Sequence, residues 1–391
     1  MSEQDFKFDP KELAHYNRHL SIPEFGMEAQ KKLKHTSVAV IGCGGLGSPV
    51  LQYLAAAGIG TIGIIDFDVV EASNLHRQVL FGVSDVGKKK VDIAKKRLQD
   101  LNPHITINTH DCRLTSENAL EVLEPYDIIA DGTDNFQTRY LVNDAAILLD
   151  KPNVYASIFQ FEGQVSVFNY TNKEGNTGPN YRDLFPTPPP PGLVPNCAEA
   201  GVLGVLPGII GSLQASEVIK LAANIGEPLS GRMFLFDALD FSTRTITIEK
   251  NPDREEVTEL IDYEQFCGIE PAGDQEESTS EASEKEVREI SVTELNEILQ
   301  NGNDVQVIDV REPHEYEIAN IDGELIPLGD VEDEADKISR EKKVVVHCRS
   351  GGRSSEAVKK LQDKYGFDNL YNLKGGILAW AEEIDPSMPK Y

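Results

Sequence analysis

The stretch that decides the fold of the longer part of the chain is Ser37-Val-Ala-Val-Ile-Gly-Cys-Gly-Gly-Leu-Gly47. Its first five residues predict a short buried strand. The run from Gly42 through Gly44 and Gly45 predicts a tight turn that opens a helix over residues 48–57. A G-x-G-x-x-G motif between a strand and a helix binds phosphate through backbone N–H groups and the helix N-terminus. The stretch therefore predicts a nucleotide-binding turn.

Strands and helices continue to alternate beyond this turn. Residues 61–65 predict a second strand that ends at Asp66, and residues 127–130 predict a further strand that ends at Asp131. This alternation is typical of an α/β fold with a doubly wound, Rossmann-like, mostly parallel sheet. Because ligands of such sheets bind beyond the carboxyl ends of the strands, we expect Asp66 to bind a ribose hydroxyl.

The residues after Asp66 distinguish two kinds of nucleotide. The glycine turn and Asp66 alone fit an NAD-dependent oxidoreductase equally well. Asn74, Arg77 and Lys90 follow soon after, and Asp134 comes just beyond a second acidic strand end. Cations placed for phosphates, together with an acid for Mg²⁺, favour ATP over NAD.

Composition narrows the class of protein and its partners. The 391 residues are 40% hydrophobic, carry a formal net charge of −28, and include five cysteines without paired spacing. The acidic charge disfavours nucleic acid and anionic membrane as partners. The cysteine pattern argues against a disulfide framework. No run reaches the roughly 18 apolar residues of a membrane span, and no signal peptide is evident, so we expect a cytoplasmic protein.

An acidic, serine-rich segment without apolar periodicity separates two predicted domains. We expect a larger domain over residues 1–268, a solvated linker over 269–286 and a small α/β domain over 287–391. The smaller domain again alternates strands with helices, with strands at 305–309 and 343–347.

The strand at residues 343–347 runs directly into a cysteine loop that continues into a helix. The loop, with Cys348 as its first residue, contains Arg349, Ser350, Gly351, Gly352 and Arg353. Such a loop directs backbone N–H groups and a helix N-terminus at the sulfur, which favours a persulfide anion. Four residues separate Cys348 from Arg353. In phosphatases that have a similar cysteine loop, five residues separate the cysteine from the arginine. The narrower loop therefore favours sulfur over phosphate.

Both parts of the chain resemble known families. Residues 12–268 resemble the ubiquitin-activating-like adenylyltransferases of the MoeB/ThiF type, and residues 287–389 resemble a rhodanese domain. The motifs that carry the resemblance are Tyr16-Asn-Arg18, Ser73-Asn-Leu-His-Arg-Gln78, Tyr140-Leu-Val-Asn-Asp144, Phe161-Glu-Gly-Gln164, Cys197-Ala-Glu-Ala-Gly-Val-Leu-Gly204, Val307-Ile-Asp-Val-Arg-Glu312 and Gly375-Gly-Ile-Leu-Ala-Trp380.

This resemblance implies roles for individual residues. Arg18 would reach the ATP site of a partner subunit, which implies a homodimer, and Asp134 would position Mg²⁺. Asp309 and Arg311 would support the cysteine loop. The nucleotide site would consist of Gly42, Gly44, Gly45, Asp66, Ser73, Asn74, Arg77, Lys90, Asp134 and Asn135.

The metal site that many family members carry is absent from this sequence. Their two C-x-x-C pairs, which bind a structural zinc, fall here at Asn180 and Asp183 and at Arg254 and Val257. Without four thiolates, no tetrahedral zinc site is expected. The pattern resembles the zinc-less, rhodanese-fused branch called the MoeZ type.

The combined domains imply a sulfur-transfer enzyme. The resemblance implies adenylation of the C-terminal glycine of a small β-grasp sulfur carrier ending in Gly-Gly. Cys348 would then deliver sulfur from thiosulfate or a cysteine desulfurase, so that a thiocarboxylate forms. Cys197 would hold the carrier as an acyl thioester or acyl disulfide, or would reduce the perthio bond, or would be a packed structural thiol. The resemblance implies molybdopterin synthesis as the leading pathway. tRNA thiolation, cysteine or thiamine synthesis, a carrier-binding scaffold and the oxidoreductase remain as alternatives.

Overall fold

The computed structural model describes residues 7–189, 201–268, 287–302 and 304–390. The chain divides into two compact units, Met1–Gly273 and Asp274–Tyr391. Cys197 and the predicted linker lie outside the described residues. Within the described ranges, no helix combines the length and apolarity needed to cross a membrane.

The first unit is built on one mixed sheet. Its strand order is β3-β2-β1-β4-β5-β6-β7-β8, parallel from β3 to β5 and antiparallel from β5 to β8. The strands are β1 (Ser37–Ile41), β2 (Thr61–Ile65), β3 (Thr106–His110), β4 (Ile128–Asp131), β5 (Asn153–Phe159), β6 (Glu162–Phe168), β7 (Arg232–Asp237) and β8 (Ser242–Thr247).

Helices cover both faces of the parallel part of this sheet. Along β1, Val38 and Val40 pack into one hydrophobic cluster, whereas Ala39 and Ile41 pack into another. Alternate side chains of a strand point to opposite faces, so two buried clusters mean a doubly wound sheet, as the sequence predicts. The helices are α1 (Pro10–His15), α2 (Asn17–Leu20), α3 (Gly26–His35), α4 (Gly47–Ala57), α5 (Lys90–Leu101), α6 (Ala119–Leu123), α7 (Phe136–Leu148), α8 (Tyr181–Leu184), α9 (Leu206–Ala223) and α10 (Tyr263–Phe266).

The second unit holds a smaller sheet in the order β11-β10-β12-β13-β9, with every pairing parallel. Cys348 directly follows the central strand, so it lies at the carboxyl end of the sheet. The elements are β9 (Glu289–Ile290), α11 (Val292–Gln300), β10 (Val305–Asp309), α12 (Pro313–Ile318), β11 (Glu324–Leu325), β12 (Lys343–His347), α13 (Gly352–Tyr365), β13 (Leu370–Leu373) and α14 (Gly376–Glu383).

An ion pair joins the two segments in which the sequence lacks zinc ligands. The Arg254 Nη1 donates to Asp183 Oδ2 at 2.6 Å, and the backbone N–H of Asn251 donates to Asp183 Oδ1 at 3.0 Å. The Asp183 side chain is fully buried and also accepts from the backbone N–H of Asn180 at 2.7 Å. Charge and hydrogen bonds therefore connect three of the four positions at which the resemblance places zinc ligands, Asn180, Asp183 and Arg254.

This contact predicts that the free energy of unfolding depends on Arg254 and does not depend on a bound zinc ion. Replacing Arg254 with alanine leaves the buried Asp183 carboxylate with backbone donors alone, which we expect to cost about 2 kcal/mol of unfolding free energy. Thermal melting monitored by circular dichroism measures this loss. Arg244→Ala, an exposed arginine of β8, is the matched control. A melting curve of the wild-type protein that shifts with a zinc chelator, or equal melting of the two variants, would contradict the expectation.

Candidate functional site

A cavity of about 390 Å³ lies at the carboxyl ends of β1, β2 and β4. Predicted and unpredicted residues share its wall. The predicted residues in the wall are Gly42, Gly44, Gly45, Asp66, Asn74, Arg77, Lys90, Asp134 and Asn135. The structure thus brings together nine of the ten residues assigned to a nucleotide site within this chain.

The glycine turn has the close backbone packing that its sequence predicts. Gly42 has φ +88°, a left-handed conformation that favours glycine. A Cβ on Gly47, the first residue of α4, would lie 1.8 Å from the Gly42 carbonyl oxygen. A side chain there would push the helix away from the turn. Glycine therefore keeps the N-terminus of α4 against the cavity.

Asp66 is fixed at the end of β2. Its Oδ2 accepts from the backbone N–H of Cys43 at 2.6 Å, and its Oδ1 accepts from the backbone N–H of Asp68 at 2.8 Å. Burial raises its pKa, an effect that these two N–H donors and Lys90 oppose. The carboxyl group is thereby held in one orientation, which suits recognition of a ribose hydroxyl.

A buried lysine supplies positive charge to the same cavity. Lys90, the first residue of α5, is 4% exposed, and its Nζ lies 3.0 Å from Asp68 Oδ2. The neighbouring Arg77 donates through Nη1 to the backbone oxygen of Ser73 at 3.0 Å, beside the turn at Gly45. Two cations near the glycine turn can offset the charge of a polyphosphate.

Acidic and amide groups at the end of β4 complete the wall. Asp134 is exposed, and Asn135 caps α7 by accepting from the backbone N–H of Thr138 at 2.9 Å. Beneath them, burial raises the pKa of Asp131, whose Oδ1 accepts from Thr133. Exposed carboxylate and amide oxygens are ligands that Mg²⁺ prefers, so Asp134 and Asn135 fit a nucleotide-bound magnesium ion.

Two predicted site residues lie outside the cavity wall. The Ser73 hydroxyl donates to Glu71 Oε2 at 3.2 Å and is not in the wall. Arg18 is exposed on α2 and does not line the cavity of its own chain, so its role in a partner's site stays a prediction.

Sequence reasoning missed several residues of the wall. Gln78 is 5% exposed, and its Oε1 has no hydrogen-bond partner among the described residues. Asp68, the partner of Lys90, and the buried Arg139 also line the cavity. Gln78 directly follows Arg77 in the motif that runs from Ser73 to Gln78, and this position could have indicated that it belongs to the site. Nothing in the sequence marked Arg139.

The second site surrounds a buried cysteine sulfur. Cys348 is 1% exposed, and its Sγ accepts from the backbone N–H of Gly351 at 3.1 Å. The Ser354 hydroxyl lies 3.3 Å from the same sulfur. On the other side, the N–H of Ile377 in α14 donates to the Cys348 carbonyl at 2.9 Å. A backbone N–H and a hydroxyl thus contact the sulfur, and the loop is fixed from two sides.

The loop side chains differ in exposure. Gly351, with φ +104°, is buried, Arg349 is half-buried, and Ser350 and Gly352 are exposed. Arg353 is half-buried and pairs with Glu315.

The residues predicted to support the loop form a buried network. The guanidinium of Arg311 donates from Nε to Asp309 Oδ1 at 2.9 Å, and both side chains are fully buried. His347 lies beside them, with Nε2 3.6 Å from Asp309 Oδ2, and burial lowers its pKa to about 4. We therefore expect a neutral imidazole under the loop at pH 7.

The other described thiols have raised pKa values. Cys43 is fully buried, and burial raises its pKa well above the ordinary value. Burial also raises the pKa of Cys267 and of Cys112, although Cys112 lines the nucleotide cavity. A raised pKa means less thiolate at neutral pH, which disfavours each as a nucleophile.

Comparisons with known proteins match both parts of the chain. The ThiF family profile matches residues 16–257, and the rhodanese-like domain profile matches residues 291–383. A probable adenylyltransferase/sulfurtransferase MoeZ of Mycobacterium tuberculosis is 48% identical, over 97% of this chain and 96% of that protein. A sulfur carrier protein adenylyltransferase of Thermus thermophilus is 54% identical, over 67% of this chain and 99% of that protein. The adenylyltransferase and sulfurtransferase MOCS3 of Xenopus laevis is 43% identical, over 97% of this chain and 88% of that protein.

Solved structures are similar to the chain at lower identity. MccB of E. coli with ATP is 26% identical, with a TM-score of 0.51, over 58% of this chain and 68% of that chain. PaaA is 23% identical, with a TM-score of 0.53, over 64% of this chain and 79% of that chain. This likeness supports the fold alone.

Proposed function

The chain belongs to the ThiF family and is an adenylyltransferase and sulfurtransferase, and we propose that it acts on the C-terminal glycine of a small β-grasp sulfur-carrier protein. The observation that carries this proposal is the combination of two sites in one chain. One is a glycine-turn cavity bordered by Lys90, Arg77 and Asp134, and the other is a cysteine loop around Cys348.

In the first step, the carrier carboxylate attacks the α-phosphorus of ATP. A bond forms between the carboxylate oxygen and phosphorus, the bond to pyrophosphate breaks, and pyrophosphate leaves with the electron pair. Lys90 and Arg77 offset the phosphate charge, the turn at Gly45 contacts the nucleotide through its backbone, and Asp66 orients the ribose. Magnesium, where bound through Asp134, supplies further charge neutralisation on the phosphates.

In the second step, the Cys348 thiolate attacks the sulfane sulfur of a donor such as thiosulfate, and sulfite leaves with the electron pair. The terminal sulfur of the persulfide then attacks the carrier's acyl-adenylate, and AMP leaves. This step joins the carrier to Cys348 through an acyl disulfide. A second thiolate then attacks the Cys348 Sγ, the carrier thiocarboxylate leaves with the electron pair, and a disulfide forms between Cys348 and the attacking thiol. A further external thiol reduces this disulfide and restores the Cys348 thiolate. We assign the role of the attacking thiol to Cys197 or to an external thiol reductant.

The pathway and assembly are parts of the same proposal. The names of the MoeZ and MOCS3 relatives favour a molybdopterin-synthase carrier, with tRNA thiolation, cysteine or thiamine synthesis as the alternatives. The exposed position of Arg18 on α2 fits a homodimer in which this arginine serves the partner's ATP site. The proposed donors are thiosulfate and a cysteine desulfurase persulfide.

ATP–pyrophosphate exchange tests the adenylation step. We expect exchange that requires Mg²⁺ and a carrier ending in Gly-Gly, and that disappears with a carrier lacking its last glycine. The truncated carrier is the matched control because it keeps the folded domain. Exchange that ignores the carrier terminus, or NAD binding in place of ATP binding, would contradict the proposal.

A further inference from the structure

Arg353, the second arginine of the cysteine loop, forms a bidentate ion pair with Glu315. Arg353 donates from Nη1 to Glu315 Oε2 and from Nη2 to Glu315 Oε1, each at 2.7 Å. Glu315 belongs to α12 and is 7% exposed. A fork-on-fork arginine–carboxylate pair fixes the relative orientation of both groups more tightly than a single hydrogen bond.

Glu315 is itself fixed by a second, fully buried arginine. Arg311 donates from Nη1 to the backbone oxygen of Glu315 at 3.3 Å and from Nη2 to the backbone oxygen of Ala319 at 2.8 Å. Arg311 is in turn held by Asp309 at the end of β10. A continuous set of contacts therefore runs from β10 through α12 to Arg353, at the start of the helix that follows the loop.

The pair also affects the charge state of Glu315. Burial by itself would raise the pKa of Glu315, but the hydrogen bonds and charge of Arg353, the backbone N–H of Glu312 and the charge of Arg311 together lower it below its usual range. Glu315 is thus ionised at neutral pH, and its charge opposes that of Arg353. Two neutral groups contact the Cys348 sulfur, the N–H of Gly351 and the hydroxyl of Ser354.

We propose that Arg353 acts through Glu315 as a positioning residue that fixes the shape of the Cys348 loop, and that it does not bind the anionic sulfur donor. Glu315 is then a second positioning residue of the sulfurtransferase reaction. This inference rests on the proposed role of Cys348 as the persulfide residue. It predicts that donor affinity and loop geometry are set by different groups.

Thiosulfate:cyanide sulfurtransferase kinetics of the full chain separate these roles. The Cys348 thiolate takes the sulfane sulfur while sulfite leaves, and cyanide then removes that sulfur as thiocyanate and restores the thiolate. We expect Glu315→Gln and Arg353→Gln each to lower kcat by roughly 10- to 100-fold, because a misplaced loop misaligns the sulfur. The KM for thiosulfate should stay within about twofold, since no donor contact is lost.

Two further variants sharpen the comparison. The double variant should be no slower than the slower single variant, because both changes break the same contact. Arg353→Lys keeps the charge but cannot form the fork, so it should also lower kcat. Lys359→Gln, an exposed charge removal on the same helix, is the control and should behave as wild type. Melting curves identify any variant that does not fold, and Arg353→Lys and Glu315→Gln then carry the comparison.

A different pattern would overturn the inference. If Arg353 binds the donor, Arg353→Gln raises the KM about tenfold or more with little change in kcat, and Glu315→Gln lowers the KM by releasing the guanidinium. Wild-type kinetics in all variants would also overturn it. Two other outcomes would contradict the proposed function and not this inference. In the first, the wild-type protein takes up no cyanide-removable sulfur from thiosulfate or tetrasulfide. In the second, Cys348→Ala takes up as much of this sulfur as the wild-type protein does.

Discussion

Replacing Cys348 with alanine lowers thiosulfate:cyanide sulfurtransferase activity by roughly 1,000-fold or more, because the atom that would carry the sulfur is removed. Carrier-dependent ATP–pyrophosphate exchange should remain within about twofold of wild type, since no described residue of the nucleotide cavity belongs to the cysteine loop. Thiocyanate release and radioactive pyrophosphate exchange measure the two activities on the same preparation.

The control for this variant is a second cysteine replacement. Cys267→Ala removes a nearly buried thiol of the first unit and should leave sulfur transfer intact. Retention of sulfur transfer by Cys348→Ala, or its loss in Cys267→Ala at an unchanged melting temperature, would show that a different thiol carries the sulfur.

The second large effect is expected at Lys90. Replacement by alanine removes a buried cation from the cavity and leaves the Asp68 carboxylate, 3.0 Å from the lysine Nζ, without its counter-charge. The nucleotide phosphates would then meet repulsion in place of attraction. We expect carrier-dependent ATP–pyrophosphate exchange to fall by roughly 100- to 1,000-fold, while sulfur loading of Cys348 is unchanged.

Neighbouring residues provide matched controls for Lys90→Ala. Lys88→Ala removes an exposed ammonium that lies outside the cavity wall, and exchange should stay near the wild-type rate. Adding Asp68→Asn to Lys90→Ala should recover part of the lost exchange, because the uncompensated carboxylate is removed. Equal exchange by the Lys88 and Lys90 variants would exclude Lys90 from the phosphate site.

The sequence predicts those features that depend on contiguous residues. The run from Ser37 to Gly47 is a strand, a turn and a helix start in the structure, and the fold class is confirmed. The strand ends at Asp66 and Asp131 are adjacent to β1 on its two sides, as a parallel sheet requires. Local pattern suffices here because the strand, the turn and the helix are each encoded within a few neighbouring residues.

Contacts between residues far apart in the chain could not be predicted in this way. Arg353 and Glu315 are 38 positions apart, and Arg254 and Asp183 are 71 positions apart. The fold brings the opposite charges of each pair together. From sequence alone, a charged residue is expected to be exposed to solvent. The burial of Lys90 is likewise a consequence of how α5 begins beside Asp68.

Intact-mass spectrometry of a carrier ending in Gly-Gly, incubated with this protein, ATP, Mg²⁺, thiosulfate and a thiol reductant, tests the central claim most directly. Our account predicts a carrier mass gain equal to the replacement of one oxygen by sulfur, absent without ATP and absent with Cys348→Ala. An unchanged carrier mass in the wild-type reaction, with AMP released and the same carrier converted by a known adenylyltransferase/sulfurtransferase in parallel, would contradict it.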